Sequence, residues 1–341
     1  MTNTGTKYFV YVDGMIGIET DYRFLSWCFG QIPNPVDKSA FDRCMIKIRI
    51  RVINDRAVIS PDEIRADTGQ FRFFYAEKNA MNVKYSRTVA KVFHNSYSAE
   101  IRDDTIFVTV GKNFYRFVQL RIMNIHSLKY TLFDLVTCML LRRGFTPLYC
   151  AAVKAEDQKA AVLMAPPNTG KSLTAARLCE RHGFKMISED LAITDGTLIW
   201  ATPWTNSFRI KGKGGSRRSG ATWTYVEHPV PIGTVILLER GASGLQSADD
   251  TFLKKVSILN RYYLWYPQSP AVSVLAYFNQ DFSPNLLVSA EHDILQRMLN
   301  RSACMICREA QAMRYADSVI RQMEVSRSQT GEADSLSCDP K

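Results

Sequence analysis

Two short stretches carry residue types suited to phosphate chemistry. The first, Ala165-Pro166-Pro167-Asn168-Thr169-Gly170-Lys171-Ser172, ends in Gly-Lys-Ser. That ending closes the P-loop pattern G-x-x-x-x-G-K-[ST], in which backbone N–H groups and the positive end of a helix face phosphate oxygens. The pattern assigns Asn168, Thr169, Gly170, Lys171, Ser172 and Leu173 to a nucleotide, with Lys171 reaching the β/γ-phosphates and the Ser172 hydroxyl on Mg²⁺. It also expects Gly where Ala165 stands, and because Ala resists positive φ an altered first turn is expected. The second stretch is Ser188-Glu189-Asp190. Its paired carboxylates have the chemistry to hold Mg²⁺ or take a hydroxyl proton; the plainer alternative is a solvated turn.

Such residues act together only if the elements around them bring them to one edge. Ala161 to Met164 reads as a buried strand, Lys171 to His182 as a helix closed by Gly183, and Phe184 to Ile187 as the next strand. Strand, loop, helix and strand in that order place Glu189 and Asp190 at a strand's C-terminal end, near the phosphates of a doubly wound sheet. Thr146 to Val153 reads as a strand leading into the loop's own strand, and Leu128 to Arg143 as a helix. Ala192 to Trp200 reads as a hairpin around Asp195-Gly196, and the apolar run Pro231 to Glu239 as a buried strand. Asp250–Asn260 and Glu291–Val325 read as helices, the second interrupted near Asn300. Residues 326–341 are polar and expected to be disordered.

The first third is different. Residues 7–13, 45–53, 71–76, 82–85, 89–93, 106–110 and 114–120 read as strands at hairpin spacing, and Asp21–Gly30 as a short helix. An antiparallel β-rich domain over 1–125 is expected, followed by a nucleotide-binding domain over 126–325. In 45–53 the basic side chains Lys47, Arg49 and Arg51 alternate with isoleucines, the pattern of a half-buried strand with a solvated face. Between Ser207 and Val226 stand Arg209, Lys211, Lys213, Arg217 and Arg218, with Gly212, Gly214, Gly215 and Gly220 and no acid. A basic, Gly-rich loop of this kind suits an anion clamp able to move; a solvated flexible loop is the alternative.

The 341 residues carry a formal net charge of +10. That balance allows anionic partners, and phosphate substrates alone account for it; no nucleic-acid-binding signature accompanies it. No apolar run approaches a membrane span and no signal-peptide core precedes the first strand, so a cytoplasmic protein is expected. The 8 cysteines are scattered and read as small buried hydrophobes. Cys304-x-x-Cys307, read here on a helix, is the one close pair, without the companions a zinc site requires.

The motifs in their order resemble the HPr kinase/phosphorylase-like family, whose ATP site shares the fold of phosphoenolpyruvate carboxykinase. The resemblance rests on Leu148-Tyr149-Cys150-Ala151-Ala152-Val153, the 165–172 loop and Ile187-Ser188-Glu189-Asp190-Leu191, then Ala201-Thr202-Pro203-Trp204 and Pro231–Glu239, and it spans roughly residues 145–300. It implies an α/β kinase domain (α+β for the whole chain), ATP and Mg²⁺ as cofactors, and phosphorylation of a hydroxyl, usually serine. By resemblance, Lys171 handles phosphate, Asp190 is the general base and Glu189 assists Ser172 and Asp190 at the metal. Arg209, Arg217 and Arg218 would clamp phosphate or acceptor, and a homo-oligomer is implied. Tyr149 stands where the family often has histidine, and Ala165 and Asn168 near its usual glycines. The implied reading is therefore a diverged kinase acting on a peptide, protein or small metabolite, for example in peptide tailoring. A nucleotide-dependent regulator without transfer is the alternative.

Overall fold

A computed structural model of the protein describes residues 5–12, 14–20, 35–53, 64–67, 72–76, 81–89, 93–112, 114, 128–155, 157–202, 209–212, 215–218, 226 and 228–321. The architecture is mixed α/β, with two large mixed sheets. The first sheet comes from β1 (Lys7–Val12), β2 (Ile16–Thr20), β3 (Ile46–Ile53), β4 (Ile64–Asp67), β5 (Arg72–Ala76), β6 (Asn82–Val89), β7 (Phe93–Arg102) and β8 (Thr105–Gly111), with the short helix α1 (Lys38–Asp42) before β3. Its spatial order is β1-β2-β3-β8-β7-β6-β5-β4.

The expected antiparallel domain needs correction around β3, which runs parallel to both β2 and β8. The connections from β2 to β3 and from β3 to β8 are too long to be tight hairpins, and longer connections allow strands to return in the same direction. Val89 and Phe93, expected within one strand, instead face each other across the β6–β7 hairpin. The alternation in β3 holds: Ile46, Ile48 and Ile50 are buried. On its other face Arg49 pairs with Glu19 at 3.2 Å and lies 5.8 Å from the ring centres of both Phe41 and Phe107, so that cation is engaged within the fold. The expected helix at Asp21–Gly30, nearly all of the strand at 114–120 and the tail 326–341 fall outside the described residues.

Helix α2 (Leu128–Leu141) covers this sheet, and α5 (Pro270–Phe278) packs on its far end. One apolar core joins them across residue 125, from Ile48 and Val108 through Leu132 and Met139 to Val272 and Leu275.

The second sheet is assembled from β9 (Thr146–Leu148), β10 (Ala151–Lys154), β11 (Ala160–Met164), β12 (Lys185–Ser188), β13 (Ala192–Thr194), β14 (Leu198–Trp200), β17 (Val230–Arg240), β18 (Gly244–Ser247) and β19 (Ala303–Glu309). Helix α3 (Lys171–His182) lies on one face; α4 (Phe252–Tyr263) and α6 (Pro284–Asn300) lie on the other. Coverage on both faces explains why β11 is apolar at every position rather than alternating. Ala160, Val162 and Met164 face Phe252, Val256 and Leu295. Ala161 and Leu163 face Ala175, Leu178, Tyr315 and Val319. Fully burying side chains of this size contributes about 1.5–3 kcal/mol for each Val, Leu or Met. Among the described residues, no helix is long and apolar enough to cross a membrane.

Asp134 on α2 is buried, and desolvation lifts its carboxyl from 3.8 to about 7 against the opposing hydrogen bond with Ser269. A carboxyl raised on folding favours the fold below its unfolded value and opposes it as pH climbs through the folded one. Asp134→Asn should therefore gain melting temperature relative to the parent as pH rises from 3.8 to about 7, and keep that gain above it. A thermal-unfolding series in which the gap between the two proteins is independent of pH would refute this assignment.

Candidate functional site

Beyond β11 the chain enters the 165–172 loop. Ala165 is buried under α3, and the left-handed positions are Asn168 (φ +62°) and Gly170 (φ +120°). The altered first turn expected from Ala165 is thus not where the loop spends its unusual geometry: an Asn and a Gly, the types that tolerate positive φ, take it. Gly170 is also hemmed in, because a Cβ there would stand 2.7 Å from the Cβ of Ala312. At the other end α3 closes on Gly183 (φ +69°), whose N–H bonds the Leu178 carbonyl. Arg240, at the end of β17, donates from Nη2 to the Asn168 carbonyl at 3.1 Å, and Arg177 donates to the Met313 carbonyl.

Strands β11 and β12 are both antiparallel to β10, which lies between them, so they run the same way and end on one edge. That topology brings the two sequence motifs together. Lys171, in the first turn of α3, places Nζ 2.5 Å from Asp190 Oδ1. Ser172 Oγ donates to the Glu189 carbonyl at 2.9 Å. The chain turns sharply there because Ser188 Oγ bonds the Leu191 carbonyl at 2.5 Å, and Thr202 Oγ1 donates to the same oxygen. The ammonium is buried (Lys171 is 6% exposed), as is Glu189, whereas Asp190 is partly open to solvent.

The expected continuous strand over Thr146–Val153 is broken at Tyr149-Cys150 into β9 and β10, which pair with different neighbours. The break is held by α4: Tyr149 N–H donates to Asn260 Oδ1 at 2.8 Å, while Asn260 Nδ2 donates to Glu291 Oε1 at 2.8 Å. Tyr266 donates to the other Glu291 oxygen at 2.7 Å, so this buried polar group is hydrogen-bonded from two elements. Lys171 Nζ lies 3.9 Å from the centre of the Tyr149 ring. Tyr149 in turn stacks on Tyr263, with centroids 5.0 Å apart and planes 7° from parallel. Burial, then the nearby Asp190 charge, pushes the Tyr263 hydroxyl up to about 12.

Ser172, Glu189 and Asp190 offer only oxygen donors, the set a hard cation such as Mg²⁺ takes, and such an ion commonly completes its shell with phosphate and water. Among the described residues no three His, Cys, Asp or Glu side chains gather as a metal cluster. The thiols differ from expectation in one respect: Cys304 and Cys307 sit on strand β19, within the segment expected to be helical up to Val325. Three positions apart on a strand, they face opposite sides: Cys304 packs at the α4–α6 face and Cys307 at the α3 face. Burial raises both thiols to about 11, which keeps them protonated at neutral pH.

Within the basic loop, β15 (Arg209–Gly212) and β16 (Gly215–Arg218) form an antiparallel hairpin that pairs Arg209 with Arg218. The adjoining 203–208, 213–214 and 219–225 lie outside the described residues. The loop read as irregular thus contains a ladder, built from short segments with too little apolar periodicity to register as strands. Arg240, Asn260 and Tyr263 were not singled out from sequence. Only Arg240 carried a usable sign, a cation closing the apolar run that forms β17.

No family model matches the chain, and no curated protein does. Among solved structures, the Hpr(Ser) kinase/phosphatase from Coxiella burnetii is similar over 31% of this chain and 79% of its own, at 11% identity and a TM-score of 0.24. A likeness of that size carries no functional argument, which falls instead to the residues gathered at the loop.

Gly170→Ala combines a positive φ with a clash against the Ala312 side chain, and strain of this kind costs on the order of 1–3 kcal/mol. Urea unfolding should show that loss in full. A variant as stable as the parent would mean that the loop is free to relax away from Ala312.

Proposed function

We propose that the protein is an ATP-dependent kinase that transfers the γ-phosphoryl group to the hydroxyl of a peptide, protein or small metabolite. The observation that carries this reading is the meeting of Lys171, Ser172, Glu189 and Asp190 at the N-terminal end of α3. A helix N-terminus with a lysine in its first turn attracts phosphate through oriented N–H groups and a full charge. Lys171 has three donors and Asp190 occupies one, leaving others for phosphate oxygens. Asp190 has a second oxygen with which to accept the acceptor's proton. Mg²⁺ held by Ser172, Glu189 and Asp190 would neutralise charge on the phosphates. Arg209, Arg217 and Arg218 lie on the β15–β16 hairpin, where planar guanidinium groups suit phosphate or an anionic acceptor.

Lys171→Ala removes the charge that stabilises the transferring group, a contribution typically of several kcal/mol. It should abolish turnover and weaken ATP·Mg²⁺ binding in calorimetry; parental affinity and turnover in this variant would refute the reading. Asp190→Asn should bind ATP·Mg²⁺ within about tenfold of the parent yet lose roughly 10²–10⁴-fold in kcat. The direct Lys171–Asp190 pair favours a second reading, a nucleotide-binding regulator without transfer, since the ammonium already engages one oxygen of the carboxylate that would have to reach the acceptor hydroxyl. Unaltered slow hydrolysis in Asp190→Asn, with nucleotide still bound, would select it. For the hairpin, Arg217→Ala with Arg218→Ala should raise the acceptor KM while circular dichroism stays parental. Unchanged kinetics would remove these arginines from the site.

A further inference from the structure

The Lys171 ammonium meets an aromatic ring as well as the Asp190 carboxylate. It stands over the face of Tyr149, 3.9 Å from the ring centre. We infer that Tyr149 is a positioning residue for Lys171: its ring, backed by Tyr263, holds the buried ammonium beside Asp190 through its π face. This rests on the proposed function only in naming phosphate as what the lysine is presented to.

The argument begins with what a lysine needs. Its ammonium sits on a flexible four-carbon stem, and one ion pair leaves that stem free to pivot about the shared oxygen. A second point of attraction removes the freedom. A second carboxylate would provide it but would leave the site with excess negative charge, unfavourable to phosphate. An aromatic face attracts the cation by its quadrupole and adds no net charge. The attraction grows when the cation is withdrawn from water, and Lys171 is buried.

The ring is itself held in place. Tyr263 stacks behind it with planes only 7° from parallel, and Phe133 meets Tyr263 edge-on at 6.0 Å. The Tyr149 backbone is anchored through Asn260 to the buried Glu291 carboxylate. The break between β9 and β10 frees residue 149 from the alternation of one continuous strand, and α4 supplies both the stacking ring and the anchoring amide.

The test reads Lys171 directly in the full chain. Its acylation by acetic anhydride is followed by mass spectrometry, with exposed Lys254 as internal reference. Tyr149→Phe keeps the ring face and should leave the Lys171 rate at the parental value. Tyr149→Leu removes the face and should raise the rate about tenfold, the scale of a desolvated cation–π contact. If Tyr149→Leu fails to fold, 3,4,5-trifluorophenylalanine at position 149 preserves the shape while draining the quadrupole, and the same rise is expected. An unchanged rate in the folded Leu or trifluoro variant overturns the inference, because a merely structural ring would not be sensitive to fluorination. Titration of the same variants with ATP·Mg²⁺ separates the two ideas. Faster labelling with weakened binding supports both, whereas faster labelling with no nucleotide binding even in the parent sustains the positioning role and removes the kinase reading.

Discussion

A buried ammonium must be compensated, and the arrangement around the 165–172 loop follows from that requirement. Lys171 is nearly inaccessible to water, and an uncompensated charge there would cost several kcal/mol. Asp190 provides the opposite charge, but only because β12 runs in the same direction as β11 and delivers its C-terminal end to the same edge. The helix that begins at Lys171, the turn fixed by Ser188 and the tyrosine beneath the ammonium all act on that one side chain. Asp190 remains partly open to solvent, so the pair is accessible from one side. A pair sealed on both sides would stabilise the fold but admit no ligand.

The second sheet supplies rigidity where the loop needs it. β11 is packed on both faces and flanked by β10 and β17, and the loop that leaves it is pinned further by Arg240 and the segment around Ala312. Backbone N–H groups can be aimed at a ligand only if their carrier does not drift. Two residues with positive φ, Asn168 and Gly170, then turn the chain from strand to helix without strain on bulkier side chains.

Much of this was legible in the sequence, and the reasons are local. The helix from Lys171 to His182 and its Gly183 stop are written in short-range chemistry, as are the apolar runs of β11 and β17 and the Asp195-Gly196 hairpin. The carboxylates at 189 and 190 were correctly placed at a strand end. What escaped depended on distant partners. Nothing near Tyr149 in the sequence reveals that Asn260 breaks its strand, or that Tyr263 lies behind its ring. The Cys304–Cys307 segment was mistaken for helix because a seven-residue apolar strand that follows a long helix has too little length to show its own period. The parallel course of β3 likewise follows from pairings that no hairpin signal encodes.

The central strand of the second sheet has a consequence for how the chain is made. β17 joins Val162 on one side, through Val235, to Cys304 on the other, so adjacent strands come from widely separated parts of the sequence. During synthesis, β11 and the loop after it leave the ribosome well before β17, and β17 well before β19. Until the last of these emerges, an apolar strand edge stands open to other chains. Parallel pairings over such separations form slowly, because the entropy of closing the intervening chain comes before any contact repays it. Stalling or truncation ahead of β19 would therefore leave a polypeptide whose hazard is aggregation, whatever the state of its phosphate loop.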